Sequence, residues 1–273
     1  MNYQTFQSHS DLESVVKCYW TLEVPAGASA QRQRIIPDGC IEMIFILGED
    51  VKRYTNGDKF IIQPRAMVLG QITEPFVVEP MGFVNSFAIR FYPYGFASFS
   101  PWPLKDLANK ETPISFLFGE NVSKELEKNI VQAKDTEERI VTIENFLLSQ
   151  LKNKSTIDNI VRTTVETIFL TGGSASINAI LKDDASKRRQ LERNFRKQIG
   201  ISPKQLGKVI RLQTALQMLI SQESENFTRI AYESEYYDQA HFIKDFKEFT
   251  GITPKEFLAD DSMALSTLFY KKN

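Results

Sequence analysis

The chain has 273 residues, 42% of them apolar, with 33 Lys and Arg against 34 Asp and Glu for a formal net charge of −1. That length exceeds one typical domain and suggests two, each with ample apolar material for a core. Two cysteines exclude a disulfide framework, no run approaches the ~20 apolar residues of a spanning helix, and no basic-then-apolar signal follows Met1, so a reducing cytoplasm is the expected compartment.

From about Tyr3 to Ser100 the pattern is that of strands. Segments 15–24, 34–47, 60–62, 66–72, 76–79 and 85–91 are rich in β-branched and aromatic residues. Pro, Gly, Asn and Asp part them, and Asn56-Gly57 is a hairpin turn. Short strands at this spacing predict a small antiparallel β-barrel or sandwich of the cupin-like kind. Such barrels hold a transition metal on several His and a Glu. The whole chain has only His9 and His241, so no metal site of that type and no Ser-His-Asp or Cys-His set can be assembled, and no Gly-rich phosphate loop is present. A β-barrel enzyme fused to a helical interaction module is thereby disfavoured. The β region reads as a binding domain without metal or cofactor.

Within it, Cys40 reads as a core residue or a pocket-lining thiol, and Asp38-Gly39 as a turn or a ligand contact. Arg90, between Ile89 and Phe91, is a cation inside a strand that needs a partner: a surface carboxylate if it faces out, a buried one if it does not. Trp20, Tyr92 and Trp102 are candidate aromatic walls.

After Pro101-Trp102-Pro103 the spacing becomes helical, over 120–133, 136–152 and 156–170. Asp135 and Glu138 form a capping box, and Ile140, Ile143, Leu147 and Leu151 make an apolar stripe. Ile157, Ile160, Val161, Val165, Ile168 and Phe169 make another. Such stripes pack within a domain or form a seam between two copies of a chain. Gly172-Gly173-Ser174 reads as a short flexible linker.

The last hundred or so residues carry one pattern twice. Leu191, Phe195, Gly200, Ile201, Pro203, Lys204 and Leu206 recur 51 residues later as Phe242, Phe246, Gly251, Ile252, Pro254, Lys255 and Phe257. Two copies are too few for a solenoid and suit two similar small modules. In each, an apolar i, i+4 pair marks a helix face, Gly stops the helix, and Ser/Thr-Pro starts the next as N-cap and N1. Short amphipathic segments at 177–182 and 227–233 precede them, which makes each copy a helix-turn-helix.

On the first reading helix Leu191, Phe195 and Ile199 share one side, while Arg189, Arg193, Arg196 and Lys197 share the other. Between Ser174 and Gln222 there are ten Lys and Arg against Asp183, Asp184 and Glu192, a local excess of +7 that marks a polyanion partner rather than a merely solvated face. The second module buries Phe242, Phe246 and Phe249 and presents Ala240, Lys244 and Lys247, with Gln239 and His241 in its first turn. Its segment 223–260 has four Lys/Arg against nine Asp/Glu, so the first module supplies most of the phosphate attraction. The apolar run within 202–221 is a connecting helix of about 27–30 Å, close to the roughly 34 Å between successive major-groove faces.

Residues 174–260 resemble the DNA-binding domain of the AraC/XylS transcription regulators, which pairs two helix-turn-helix motifs on a linking helix. The matching residues are Gln190-Leu191-Glu192-Arg193, Phe195, Gly200-Ile201-Ser202-Pro203-Lys204-Gln205-Leu206, Arg211 and Ala215. The second half adds Ile230-Ala231, Tyr237-Asp238-Gln239-Ala240-His241-Phe242, Phe246 and Gly251-Ile252-Thr253-Pro254-Lys255-Glu256-Phe257. Two departures stand out. Glu235 occupies the turn position where the family has Gly, and Lys187 the place of its Ser cap, with Ser186 one residue earlier.

The resemblance implies double-stranded DNA as partner, read by Lys187, Arg188, Arg189, Glu192, Arg193, Arg196, Lys197, Gln239, Ala240, His241, Lys244 and Lys247. It further implies RNA polymerase, a small organic effector and a second copy of the chain as partners, and no membrane. Ile36-Pro37-Asp38-Gly39-Cys40-Ile41-Glu42 resembles the β-rich sensor region of some members, with Trp20, Asp38, Cys40, Glu42, Arg90 and Tyr92 as candidate effector contacts. The implied organisation is an α+β chain: a β-rich sensor domain (1–100), a helical connector suited to dimerisation (101–173), an all-α double helix-turn-helix (174–260) and a tail (261–273). A DNA-binding regulator whose N-terminal part serves only dimerisation or a protein partner is the alternative.

Overall fold

The computed structural model describes residues 1–28, 31–151, 157–181, 184–221 and 226–270. Its N-terminal part is two antiparallel sheets. The larger contains β1 (Asn2–Phe6), β2 (Val16–Val24), β4 (Ile41–Ile46), β7 (Ala66–Leu69), β9 (Val84–Phe91) and β10 (Glu111–Pro113), in the order β1-β2-β9-β4-β7-β10. The smaller contains β3 (Gln33–Ile35), β5 (Val51–Asn56), β6 (Lys59–Ile62) and β8 (Phe76–Pro80), in the order β3-β8-β5-β6. The sheets face each other as a sandwich and do not close into a barrel. Gly57, at φ 57°, makes the β5–β6 turn expected at Asn56-Gly57.

The single strand expected over 34–47 is two strands in different sheets. Residues 36–40 leave one sheet and enter the other, with Gly39 at φ 78°. β10 also takes the larger sheet past the expected boundary at residue 100.

Both faces of that sheet are covered, and β4 shows how. Ile41, Met43 and Phe45 pack with the helices behind the sheet, whereas Glu42, Ile44 and Ile46 point between the sheets. Double coverage explains why β4 and β9 are buried along almost their whole length.

The helices follow: α1 (Ile114–Phe118), α2 (Glu120–Gln132), α3 (Thr136–Gln150), α4 (Asn159–Leu170), α5 (Ile177–Ile180), α6 (Ala185–Gln198), α7 (Pro203–Ile220), α8 (Phe227–Glu233), α9 (Gln239–Thr250), α10 (Pro254–Phe257) and α11 (Ala264–Tyr270). Lys152, Thr156, Lys182, Asp183, Gln222 and Glu223, which entered the expected helix ends and charge counts, lie outside the described residues. Asp135 caps α3 by accepting from the Glu138 N–H at 2.9 Å. No helix among the described residues is long and apolar enough to cross a membrane.

The apolar stripes of α3 and α4 are not a free seam. Ile143, Leu147, Val161, Val165 and Ile168 are buried in a core that runs from the larger sheet through these helices to Leu191, Phe195, Ile199, Leu206 and Ile210 of α6 and α7. The turn at Gly172-Gly173 is likewise packed rather than a flexible linker. Gly173, at φ 84°, lies so close to the Gly207 carbonyl of α7 that a Cβ would overlap it, and its own carbonyl accepts from Arg211 Nη2 at 3.0 Å. The expected tail contains α11, which packs back on the sandwich: Leu265 N–H donates to Gln33 Oε1 at 3.1 Å and Ser266 Oγ to the Arg34 carbonyl at 2.7 Å.

Candidate functional site

Helix α6 starts at Ala185 because Asp184 caps it, its carboxylate accepting from the Ser186 N–H at 3.1 Å. Hydrogen bonds from Ser186 and Lys187 hold that carboxyl down at about 2. The cap is thus Asp184 rather than Ser186 or Lys187, and it places Lys187 and Arg188 in the first turn. Leu191, Phe195 and Ile199 are fully buried, while Lys187, Arg188, Arg189, Arg193, Arg196 and Lys197 are exposed and Glu192 is half-buried. Lys187 pairs with Asp184 at 3.0 Å and Arg188 donates to Asn178 Oδ1 at 3.3 Å. Arg189, Arg196 and Lys197 make no ion pair among the described residues. The helix is steadied from the far side, where Asn194 Nδ2 donates to Asp158 Oδ2 at 2.7 Å and the Asp158 N–H to Gln198 Oε1 at 3.1 Å.

Gly200 and Gly251, at φ 101° and 78°, end α6 and α9 as the repeat requires, and Ser202 and Thr253 open α7 and α10 with complete capping boxes. On α9, Asp238 is the N-cap, and Ala240, Lys244 and Lys247 are exposed. Gln239 and His241 are half-buried and have partners within the module. Gln239 Oε1 accepts from Thr228 Oγ1 at 2.6 Å, and His241 lies edge-on to Tyr236 with Nε2 3.5 Å from Asp245 Oδ2. Tyr237, beside the cap of α9, is 93% exposed. In the turn before it, Glu235 has φ 60°.

Helix α7 joins the modules, and it is buried on nearly every side. Lys208 Nζ bonds Asp245 and Glu248 of α9, each at 3.1 Å, and the Arg211 guanidinium lies 5.2 Å from the Tyr236 ring. The loop 36–40 rests on the same helix: Gln213 Nε2 donates to the Pro37 carbonyl, Gly39 meets Leu206 and Ile210, and Ile36 enters the core of the second module. Arg34 Nη1 also donates to the Thr250 carbonyl at 3.1 Å.

Between the sheets lies a cavity of about 120 Å³. Of the candidate effector contacts, Trp20 and Glu42 line it, together with Ile44, Met67, Phe76 and, from α11, Leu265 and Phe269. Asp38, Cys40, Arg90 and Tyr92 do not line it. Cys40 is buried at the end of the loop 36–40, Tyr92 stacks on Tyr94, and Trp102 stands outside on Phe116. Arg90 does not face out: it is buried, with Nε donating to Glu42 Oε1 at 2.6 Å and lying 3.6 Å from Asp38 Oδ2. Burial works against the Arg90 charge, but the Glu42 and Asp38 carboxylates more than offset it and raise the guanidinium. Burial likewise pushes the Glu42 carboxyl up, with Arg90 opposing.

Residues 185–260 match the family model described as a helix-turn-helix domain, over the same two modules. The C-terminal part of the chain is thus a helix-turn-helix domain. Residues 4–113 match a further model, a domain of unknown function (DUF6597), which ends where β10 ends. No curated protein matches the chain. Among solved structures, ToxT from Vibrio cholerae is 13% identical, with 95% of this chain and 98% of that one covered and a TM-score of 0.47. ToxT from strain SCE256, bound to an unsaturated fatty acid, is 15% identical over 89% and 94%, TM-score 0.44. The C-terminal domain of AraT, a response regulator from Geobacillus stearothermophilus, is 25% identical over 38% of this chain and 86% of that one, TM-score 0.34.

Proposed function

We propose that the regulator's affinity for its DNA target is set by a small organic molecule held between the two β-sheets. The observation that carries this is the loop 36–40. At one end it runs into β4, whose Glu42 lines the cavity; at the other it rests on α7, the helix that joins both DNA-reading modules. A molecule that shifts β4 shifts the seat of α7. The DNA contacts come from the exposed face of α6 (Lys187, Arg188, Arg189, Arg193, Arg196, Lys197) and from Ala240, Lys244, Lys247 and Tyr237 of the second module.

The test is linkage. A thermal-shift screen on the full chain finds ligands, and the affinity of a hit is measured by calorimetry with and without a saturating operator duplex. Coupling of about 1–3 kcal/mol changes that affinity roughly 5–150-fold. Equal affinities refute the control. They favour a second reading, in which the N-terminal half binds another copy of the chain or a protein such as RNA polymerase. The exposed Phe60, Ile61 and Ile62 on edge strand β6 support that reading.

A further inference from the structure

The cavity wall has a direction. Along β4 its cavity face runs from Glu42 through Ile44 to Ile46, and Ile46 pairs with Ser86 of β9. That is a span of about 13 Å at 3.3 Å per residue, with a polar residue at each end and apolar side chains between. Arg90 Nε and Trp20 Nε1 both donate to Glu42 Oε1, at 2.6 and 3.0 Å, which leaves Oε2 as an open acceptor. The Ser86 hydroxyl has no hydrogen-bond partner among the described residues, although Ser86 is buried.

Glu42 is the sole charged side chain among those lining the cavity. The nearby guanidinium of Arg90 already faces two carboxylates. A ligand carboxylate seated against Glu42 would therefore be buried beside a like charge, which is costly, whereas the one cation on the lining, the Met1 ammonium, belongs to the chain terminus.

The Glu42 end is closed by the chain itself. Phe269 of α11 packs 5.2 Å from Tyr3 and 5.5 Å from Trp20, and the Arg90 guanidinium lies 5.8 Å from its ring. A helix of seven residues has little stability of its own and stays in place through these contacts and the bonds from Leu265 and Ser266.

The geometry points to a site for an uncharged, elongated, mainly apolar molecule with a hydrogen-bond donor at one end, which replaces Phe269 against Tyr3 and Trp20. This rests on the ligand-controlled reading above and gives that ligand its chemical class.

In the test, the full chain is titrated with N-phenylnaphthylamine, an uncharged apolar fluorophore, and the probe is displaced by decanol or by decanoate. Decanol is expected to act at about tenfold lower concentration, the effect of burying one charge beside another of like sign. Glu42→Gln should narrow that ratio by improving decanoate, and Phe269→Ala should bind the probe several-fold tighter than wild type. Decanoate equalling decanol overturns the ligand class, as does a ratio that Glu42→Gln leaves unchanged. Weaker probe binding by Phe269→Ala makes Phe269 part of the wall and overturns the competition. Thermal unfolding identifies a variant that fails to fold, and the wild-type comparison then decides alone. Displacement by decanol without any change in DNA affinity sinks the ligand-control reading and leaves the site standing; no displacement by either compound sinks the site.

Discussion

Glu235 holds a left-handed backbone, φ 60°, in the turn between α8 and α9. For a residue with a Cβ that conformation costs roughly 1–2 kcal/mol, and the greater freedom of an unfolded glycine returns about 0.5–1 of it. Glu235→Gly should therefore stabilise the chain by about 0.5–1 kcal/mol. Glu235 is exposed and its side chain makes no hydrogen bond or ion pair among the described residues, so there is no side-chain interaction to subtract. At about 2–4 °C per kcal/mol for chains approaching this size, the midpoint should rise by roughly 1–4 °C. The assay is thermal and urea unfolding, each followed by far-UV circular dichroism, because both tryptophans, Trp20 and Trp102, lie in the N-terminal half. The urea midpoint should rise at constant slope. Glu235→Ala is the control, since it removes the charge from this acidic segment and keeps the Cβ. Equal gains in both variants would refute the backbone argument and assign the effect to charge; no gain in Glu235→Gly would refute it outright.

Two further outcomes are expected at the DNA face. Arg193 is exposed in the middle of the α6 stripe, where a guanidinium meets guanine O6 and N7 as a bidentate donor, so Arg193→Ala should cost about 1–3 kcal/mol of specific binding and little non-specific binding. Equal weakening on specific and random duplexes would make Arg193 a phosphate-binding residue. Neutralising Lys187, Arg196 and Lys197 together should flatten the salt dependence of binding by about 0.9 in slope for each phosphate left without its cation, and the double change at Lys244 and Lys247 should do less. A steeper contribution from the second pair would reverse the division of labour between the modules.

The local grammar of the DNA-binding half was legible in the residues alone. Helix period, Gly stops and Ser/Thr-Pro starts are short-range rules, so α6, α7, α9 and α10 begin and end close to where the repeat put them. The exposure of the α6 cations follows from the same period. Local rules do not name the partner a side chain meets. Gln239 and His241 fall in the first turn of α9 by position, and the fold adds Thr228, Tyr236 and Asp245 as their partners.

What touches what across the chain was decided only by the tertiary structure. Neither the stripes on α3 and α4 nor Gly172-Gly173 state in sequence whether their partner is another copy, solvent or α7, because burial is a property of pairs and periodicity describes one member. Arg90 shows the same limit. Its need for a carboxylate could be read from its neighbours, but that the carboxylate is Glu42 depends on the register of β4 against β9, which pairs those two residues directly. The sharpest case is α11. Its residues carry no motif, and their place over the mouth of the cavity comes from Gln33, Arg34, Tyr3 and Trp20, more than two hundred positions earlier, which the fold brings beneath them.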